Sequence, residues 1–253
     1  MNDSTKRFSN RVADYVRYRP SYPPEVLSVL ENEAGLTVDS VLADIGSGTG
    51  ISAKLLLDHG NPVYGVEPNA EMRQAAERVL AEYPRFQSIA ATAESTTLED
   101  HSVDMIVAGQ AFHWFDRALC RAEFARILRP GGYAVLMWNN RLTDTTPLAR
   151  EYERLICEFA IDYRQVDHRQ IDAAAITVFF APCPFSFRSI PNSQSLDLAG
   201  VLGRIASSSY MPTADHLNHG RMVKAFQRLF ETQQHNGRVE IEYDTILYFG
   251  HLT

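Results

Sequence analysis

Basic runs, paired cysteines and long apolar stretches are all scarce in this 253-residue sequence, and each scarcity removes a class of function. No run of Lys or Arg exceeds two residues, and the formal net charge is −7. Counterion release from a phosphate backbone needs clustered cations, so nucleic acid is a poor partner and a small molecule a better one. The three cysteines, Cys120, Cys157 and Cys183, are far apart and form no Cys-x-x-Cys pair. Neither a metal site nor a disulfide framework is indicated, and reduced packing thiols are expected. No stretch approaches the ~18 apolar residues of a membrane span, and the opening Met1-Asn-Asp-Ser-Thr-Lys-Arg7 has no apolar leader core. The expectation is a soluble, cytoplasmic chain with no membrane partner. Repeats, low-complexity tracts and linkers are also missing, which predicts one domain over 1–253.

What is present is organised around Val41-Leu-Ala-Asp-Ile-Gly-Ser-Gly-Thr-Gly-Ile-Ser52. A short apolar strand runs into glycines at 46, 48 and 50, and an amphipathic helix follows. Glycines at such a turn permit a tight bend and close approach of a ligand, with Asp44 just before the bend. A dinucleotide fingerprint needs glycines at the first, third and sixth places, and the sixth place here is Ile51. That spacing argues against NAD.

Along the chain, residues 1–35 read as an N-terminal arm and a helix. The arm carries Phe8, Tyr15, Tyr18 and Tyr22 with Arg11, Arg17 and Arg19; prolines 20, 23 and 24 force its end to be extended or turned. The helix spans Glu25–Ala34 and stops at Gly35. Strand, helix and strand then alternate over 36–140, which predicts a parallel α/β sheet. Its second strand ends at Glu67, and an acidic group there can accept both hydroxyls of a ribose. Asn69 can cap the next helix, in whose first turn Met72 is either core or a contact for a base. The fourth strand, 102–108, opens into Gly109-Gln-Ala-Phe-His-Trp-Phe-Asp116, at the carboxyl end where doubly wound folds bind ligands. Beyond Asn140 the alternation stops. Residues 141–235 read as a helical cap with a late strand at Phe185–Ile190, and 236–253 as the final strand.

These pieces together resemble a class I S-adenosylmethionine-dependent methyltransferase of the type 11 small-molecule group, with the trans-aconitate methyltransferase-like branch most similar. The resemblance covers about residues 8–140 and rests on Tyr18-Arg-Pro-Ser-Tyr-Pro23, Asp44-Ile-Gly-Ser-Gly-Thr-Gly50, Val66-Glu-Pro-Asn69, Gln110-Ala-Phe-His-Trp-Phe115 and Arg126-Ile-Leu-Arg-Pro-Gly-Gly132, with a weaker echo in Ser207-Ser-Ser-Tyr210. It implies a Rossmann-like, doubly wound, mostly parallel seven-stranded sheet with an antiparallel last strand. It implies S-adenosyl-L-methionine as cofactor and S-adenosyl-L-homocysteine as product. Gly46, Ser47 and Gly48 would border the methionyl and ribose parts, with Asp44 beneath the loop. Glu67 and Pro68 would stand at the ribose, Met72, Ala93 and Glu94 at the adenine, and Gln110 on the methionyl side. The Asn/Asp-Pro-Pro-Tyr/Phe signature of base and amide N-methyltransferases is missing after the fourth strand, which counts against DNA and protein-glutamine substrates.

The expected reaction is in-line displacement of a methyl group by a small-molecule acceptor, for instance a carboxylate. A carboxylate is already ionised and needs only an Arg or Tyr to orient it; a hydroxyl or amine gains from a base, and His113 is the histidine beside the expected site. The catalytic candidates are therefore Arg19, as anion anchor for the acceptor or for the cofactor's own carboxylate, and His113. Tyr15, Tyr22, His113, Trp114 and Tyr210 are the candidate substrate contacts. Two other readings stay open: a non-catalytic S-adenosylmethionine-binding protein and an NAD-dependent oxidoreductase.

Overall fold

The computed structural model describes residues 11–163 and 173–253; Phe8 of the arm lies outside them. Its centre is a seven-stranded sheet in the order β3-β2-β1-β4-β5-β7-β6. The strands are β1 (Leu42–Ile45), β2 (Val63–Val66), β3 (Phe86–Ile89), β4 (Val103–Gly109), β5 (Leu128–Arg141), β6 (Phe185–Leu196) and β7 (Val239–Gly250). β1 to β5 are parallel to their neighbours, and β7 runs antiparallel to both β5 and β6. The expected doubly wound architecture with its reversed last strand is what the chain adopts.

Both faces of the sheet are covered, which is why β1 and β4 are apolar but for Asp44 and Asp104. Leu42, Met105 and Val107 join Val26 and Leu30 of α2 (Glu25–Ala34) and Leu56 and Leu57 of α3 (Ile51–His59) in one core. Ala43, Ile45, Ile106 and Ala108 face the other way, towards Phe124 of α5 (Arg117–Ile127) and Phe179 and Phe180 of α7 (Ala173–Phe180). Between them in sequence lie α4 (Ala70–Val79) and α6 (Pro147–Phe159). Strand order reverses between β1 and β4, so the crevice at their carboxyl ends is where a doubly wound sheet opens to a ligand.

The remaining helices are α1 (Val12–Tyr18), α8 (Leu198–Ala206) and α9 (His219–Gln233). Within the arm, expected to be irregular, the seven residues 12–18 form α1, while 19–24 is extended and turned as the prolines require. β6 continues to Leu196, well past the expected Ile190. The two long strands explain the cap: β6 and β7 pair over their full lengths, but β5 reaches only as far as Tyr243 on β7. The overhanging end puts Leu196, Val239, Ile241 and Tyr243 into a separate core with Tyr152 and Ile156 of α6, Val201 and Ile205 of α8, and Phe226 of α9. Arg129-Pro-Gly-Gly132 follows directly on the end of α5. It is taken into β5 as a bulge, since Val103 pairs with Leu128 but Met105 pairs with Tyr133. Among the described residues no helix is long and apolar enough to cross a membrane.

Candidate active site

A cleft opens at the carboxyl ends of β1, β2 and β4. Its floor is the glycine loop, with Gly46 at φ +70°, Gly48 at +55° and Gly50 at +86°. A Cβ on Gly46 would sit 2.6 Å from the Cβ of Ala111, so the loop after β4 can lie against it only because that atom is missing. The Gly46 and Ser47 N–H groups both donate to the carbonyl of Val66, fastening the loop to the tip of β2.

Glu67 is the acidic group of the cleft and is 8% exposed. One carboxylate oxygen accepts from Gly48 N–H at 3.0 Å and the other from Asn69 N–H at 2.8 Å. Burial pushes its carboxyl above the ordinary range, and the two backbone donors hold it back. The wall beyond it is Pro68, Asn69, Met72, Thr92, Ala93 and Glu94. Asn69 caps α4 by accepting from Met72 N–H, which fixes Met72 in the first turn. Glu94 accepts from Asp116 N–H at 2.9 Å, and Asp116 in turn caps α5.

The opposite wall comes from β4 and its loop: Gly109, Gln110, Ala111, Trp114 and Phe115. Gln110 is held at φ +57°, a conformation that non-glycine residues seldom adopt, by its N–H on Met137 and its Nε2 at 3.3 Å from the Asn139 carbonyl. Tyr15 of α1 completes the lining.

Of the residues singled out from sequence, Gly46, Gly48, Glu67, Pro68, Met72, Ala93, Glu94, Gln110, Tyr15 and Trp114 meet in this cleft. Others stand back from it. Ser47 turns its hydroxyl towards β2, beside Gly65. Asp44 is fully buried beneath the loop, one oxygen accepting from Ser52 Oγ at 2.7 Å and the other buried without a partner among the described residues. Tyr22 is buried with its hydroxyl against Gly109 and beside Ser52. His113 lies in the short 3-10 turn Phe112–Trp114, ring against Trp114 at 4.7 Å, and is not part of the lining. Tyr210 packs in the cap, 4.7 Å from Tyr163. Arg19 is one ring away from the cleft: its guanidinium lies 4.7 Å from the centre of Tyr15. Sequence reasoning placed neither Thr92 nor Ala111 at the site. Only the pairing of β4 with its neighbours brings Ala111 over Gly46.

These residues fit a nucleoside carrying a charged tail. A carboxylate stands at the strand-two tip, the apolar side chains of Pro68, Met72 and Ala93 line the base side, and Gln110 stands near the glycine loop. A pyrophosphate is less well served, because the Gly48 N–H of the loop is already held by the Glu67 carboxylate.

Residues 43–136 match the methyltransferase domain family. An uncharacterized methyltransferase of Mycobacterium tuberculosis is 40% identical over 139 residues, covering 55% of this chain and 54% of the relative. The chain spans about half the length of these curated relatives. The fold is shared with a proposed type II methyltransferase of Anaeromyxobacter dehalogenans, at a TM-score of 0.70 and 22% identity, covering 93% of this chain and 98% of that one. It is also shared, at a TM-score of 0.58 and 14% identity, with Haemonchus contortus phosphoethanolamine N-methyltransferase 2, solved in complex with S-adenosyl-L-methionine; 98% of this chain and 58% of that one are covered.

Proposed function

We propose that this chain, with a methyltransferase domain at 43–136 on the class I fold, transfers a methyl group from S-adenosylmethionine to a small carboxylic acid. The observation that carries the cofactor reading is Glu67: a buried carboxylate at the tip of β2, steadied by Gly48 and Asn69 and facing the cleft. Glu67 accepts the ribose hydroxyls, Met72 and Ala93 flank the base, and Gln110 meets the methionyl side. When bound, the cofactor supplies a methyl group on a sulfonium, which is electrophilic without further activation. The protein's task is then to align the acceptor and exclude water.

The carboxylate acceptor is supported by Arg19, whose guanidinium is almost enclosed behind Tyr15 and has its Nε buried without a partner among the described residues. A carboxylate oriented there needs no base, which agrees with His113 lying outside the cleft lining. This is the finer, trans-aconitate-like reading of the motifs, and it makes the whole chain one methyltransferase unit with 141–235 as its acceptor-side cap.

Two measurements test it. Calorimetric titration should show binding of S-adenosylmethionine and S-adenosylhomocysteine but not NAD, with Glu67→Ala weakening the former at least ~10-fold, the worth of hydrogen bonds to a charged acceptor. Methyl-labelled cofactor with fractionated small acids should then give label that mild alkali releases, as an ester does. Alkali-stable label would move the acceptor to a hydroxyl, amine or thiol and bring His113 back as base.

A further inference from the structure

The arm is fastened to the rest of the chain at two places, by different chemistry. Towards its start Arg11 donates to the carbonyls of Ala206, Ser208 and Met211, and Arg19 adds one bond from Nη2 to the Ser207 carbonyl at 2.9 Å. Towards its end the fastening is a cluster of neutral polar side chains. The Ser21 carbonyl accepts from Asn139 Nδ2 on β5 at 3.2 Å and from Asn192 Nδ2 on β6 at 2.9 Å. Asn139 Oδ1 accepts in turn from Asn192 Nδ2 at 3.2 Å and from Thr245 Oγ1 on β7 at 2.5 Å. Asn139 is buried, and Thr245 has no exposed surface.

Asn139 and Thr245 stand opposite each other on β5 and β7, where two apolar side chains would pack without the cost of burying an amide and a hydroxyl. The polar pair sets the direction of one amide instead. The Ser21 carbonyl can only accept, so Asn139 must turn its nitrogen towards it and its oxygen towards the two donors. Ser21 precedes Tyr22, whose hydroxyl lies against Gly109, and it follows Tyr15, which lines the cleft. The main chain of Asn139 acts on the opposite wall. Its carbonyl accepts from Gln110 Nε2 at 3.3 Å, at a residue held at φ +57°. One residue outside the lining is therefore bonded to both the arm and Gln110.

We propose that Asn139 is a positioning residue for methyl transfer, whose amide seats the arm through Ser21 while its carbonyl orients Gln110. The inference rests on the methyl-transfer reading above and adds to it a residue that touches neither cofactor nor acceptor. In-line displacement tolerates small misplacements poorly, so a shift of Tyr15 or Gln110 is felt in the cleft.

Asn139→Asp is the test, because it keeps the shape and the acceptor for Thr245 and Asn192 and changes the atom that faces Ser21. In the carboxylate form that atom is an oxygen against a carbonyl oxygen, and the arm is released. In the acid form it is an O–H that donates to Ser21 and holds the arm. Oxygen against oxygen in a buried place favours the acid form. The readouts are S-adenosylhomocysteine affinity by calorimetry and the rate of protease cutting within the first 24 residues, each as the ratio of variant to wild type at pH 5 and pH 8. Titrations common to both chains, those of Asp44 and Glu67 included, drop out of the ratio. At pH 8 the variant should bind at least ~10-fold more weakly and be cut several-fold faster, and at pH 5 both ratios should return to within about threefold of wild type. Asn139→Leu, which cannot donate at any pH, should stay impaired at both. Asn192→Asp, at the second and more accessible donor, should follow the same pH sign with a smaller amplitude, and it decides the question if Asn139→Asp does not fold. Ratios that do not move with pH overturn the proposal. So does a variant that melts lower yet binds and is cut like wild type, which marks a purely structural asparagine. If wild type fails to bind S-adenosylhomocysteine, the methyl-transfer reading falls, and the cutting rates of the ligand-free chains still judge the hold on the arm.

Discussion

Asp44 shows what one residue costs at this site. It has no exposed surface, and burial pushes its carboxyl from 3.8 to about 7, with the Ser52 hydroxyl and Ala53 N–H pulling the other way and Glu67 adding to the rise. The sign of the consequence follows. Between about pH 4 and pH 7 the folded chain holds a proton that the unfolded chain has released, so stability falls as pH rises through that window, by a few kcal/mol in all. Asp44→Asn removes the titration while keeping an acceptor for Ser52. Urea denaturation at pH 5 and pH 8 should show the wild type losing stability and the variant holding nearly level; parallel losses in both would disprove the assignment. At this scale the site was legible where its chemistry is local. Glu67, Gly46 and Gly48 follow from a strand, a turn and a spacing. Ala111 was not: it is one small residue after a strand, and only the packing of the β4 loop over the glycine loop brings it against Gly46.

Among the elements, the glycine loop and α3 carry the sharpest test. Sequence spacing argues against a dinucleotide cradle because Ile51 fills the place of the packing glycine. In the fold, Gly50 does the close packing, one residue earlier: it begins α3 at φ +86°, and a Cβ there would come within 2.7 Å of Leu80 Cδ1 at the end of α4. Gly50→Ala therefore pays twice, in left-handed backbone and in overpacking, and should cost ~2–4 kcal/mol. Chemical denaturation measures it; a loss under ~1 kcal/mol would mean that Leu80 moves aside freely. Element types were readable because a βαβ chain alternates its hydrophobic period from 2 to 3.6. Lengths were less so. β6 was expected to end at Ile190, since Pro191-Asn-Ser-Gln-Ser195 has no apolar alternation, yet β7 pairs with every one of those residues and holds them extended. Helix α1 escaped notice for a related reason: its hold on the fold is made by contacts distant in sequence.

Across the whole molecule, the arm joins the cap to the cleft. Besides the bonds of Arg11 and Arg19, Gln194 donates to the Tyr18 carbonyl at 2.9 Å, and Asn139 and Asn192 both donate to the Ser21 carbonyl. The tightest contact is Tyr18 on α8, where a Cβ on Gly203 would lie 2.1 Å from the ring. Two effects compete in Gly203→Ala. Replacing glycine inside a helix favours α8 by about 1 kcal/mol. The same methyl group cannot coexist with Tyr18, and the displaced ring must take α1, and with it Tyr15, away from the cleft. Steric overlap of that size outweighs the helix gain. The variant should therefore be less stable than wild type, be cut faster by protease within the first 24 residues, and bind S-adenosylhomocysteine several-fold more weakly. Added ligand should slow the cutting of wild type more than that of the variant. A variant that is more stable, with unchanged affinity and unchanged cutting, would show that the arm does not form the cleft's roof and that Tyr15 reaches the lining independently of Tyr18.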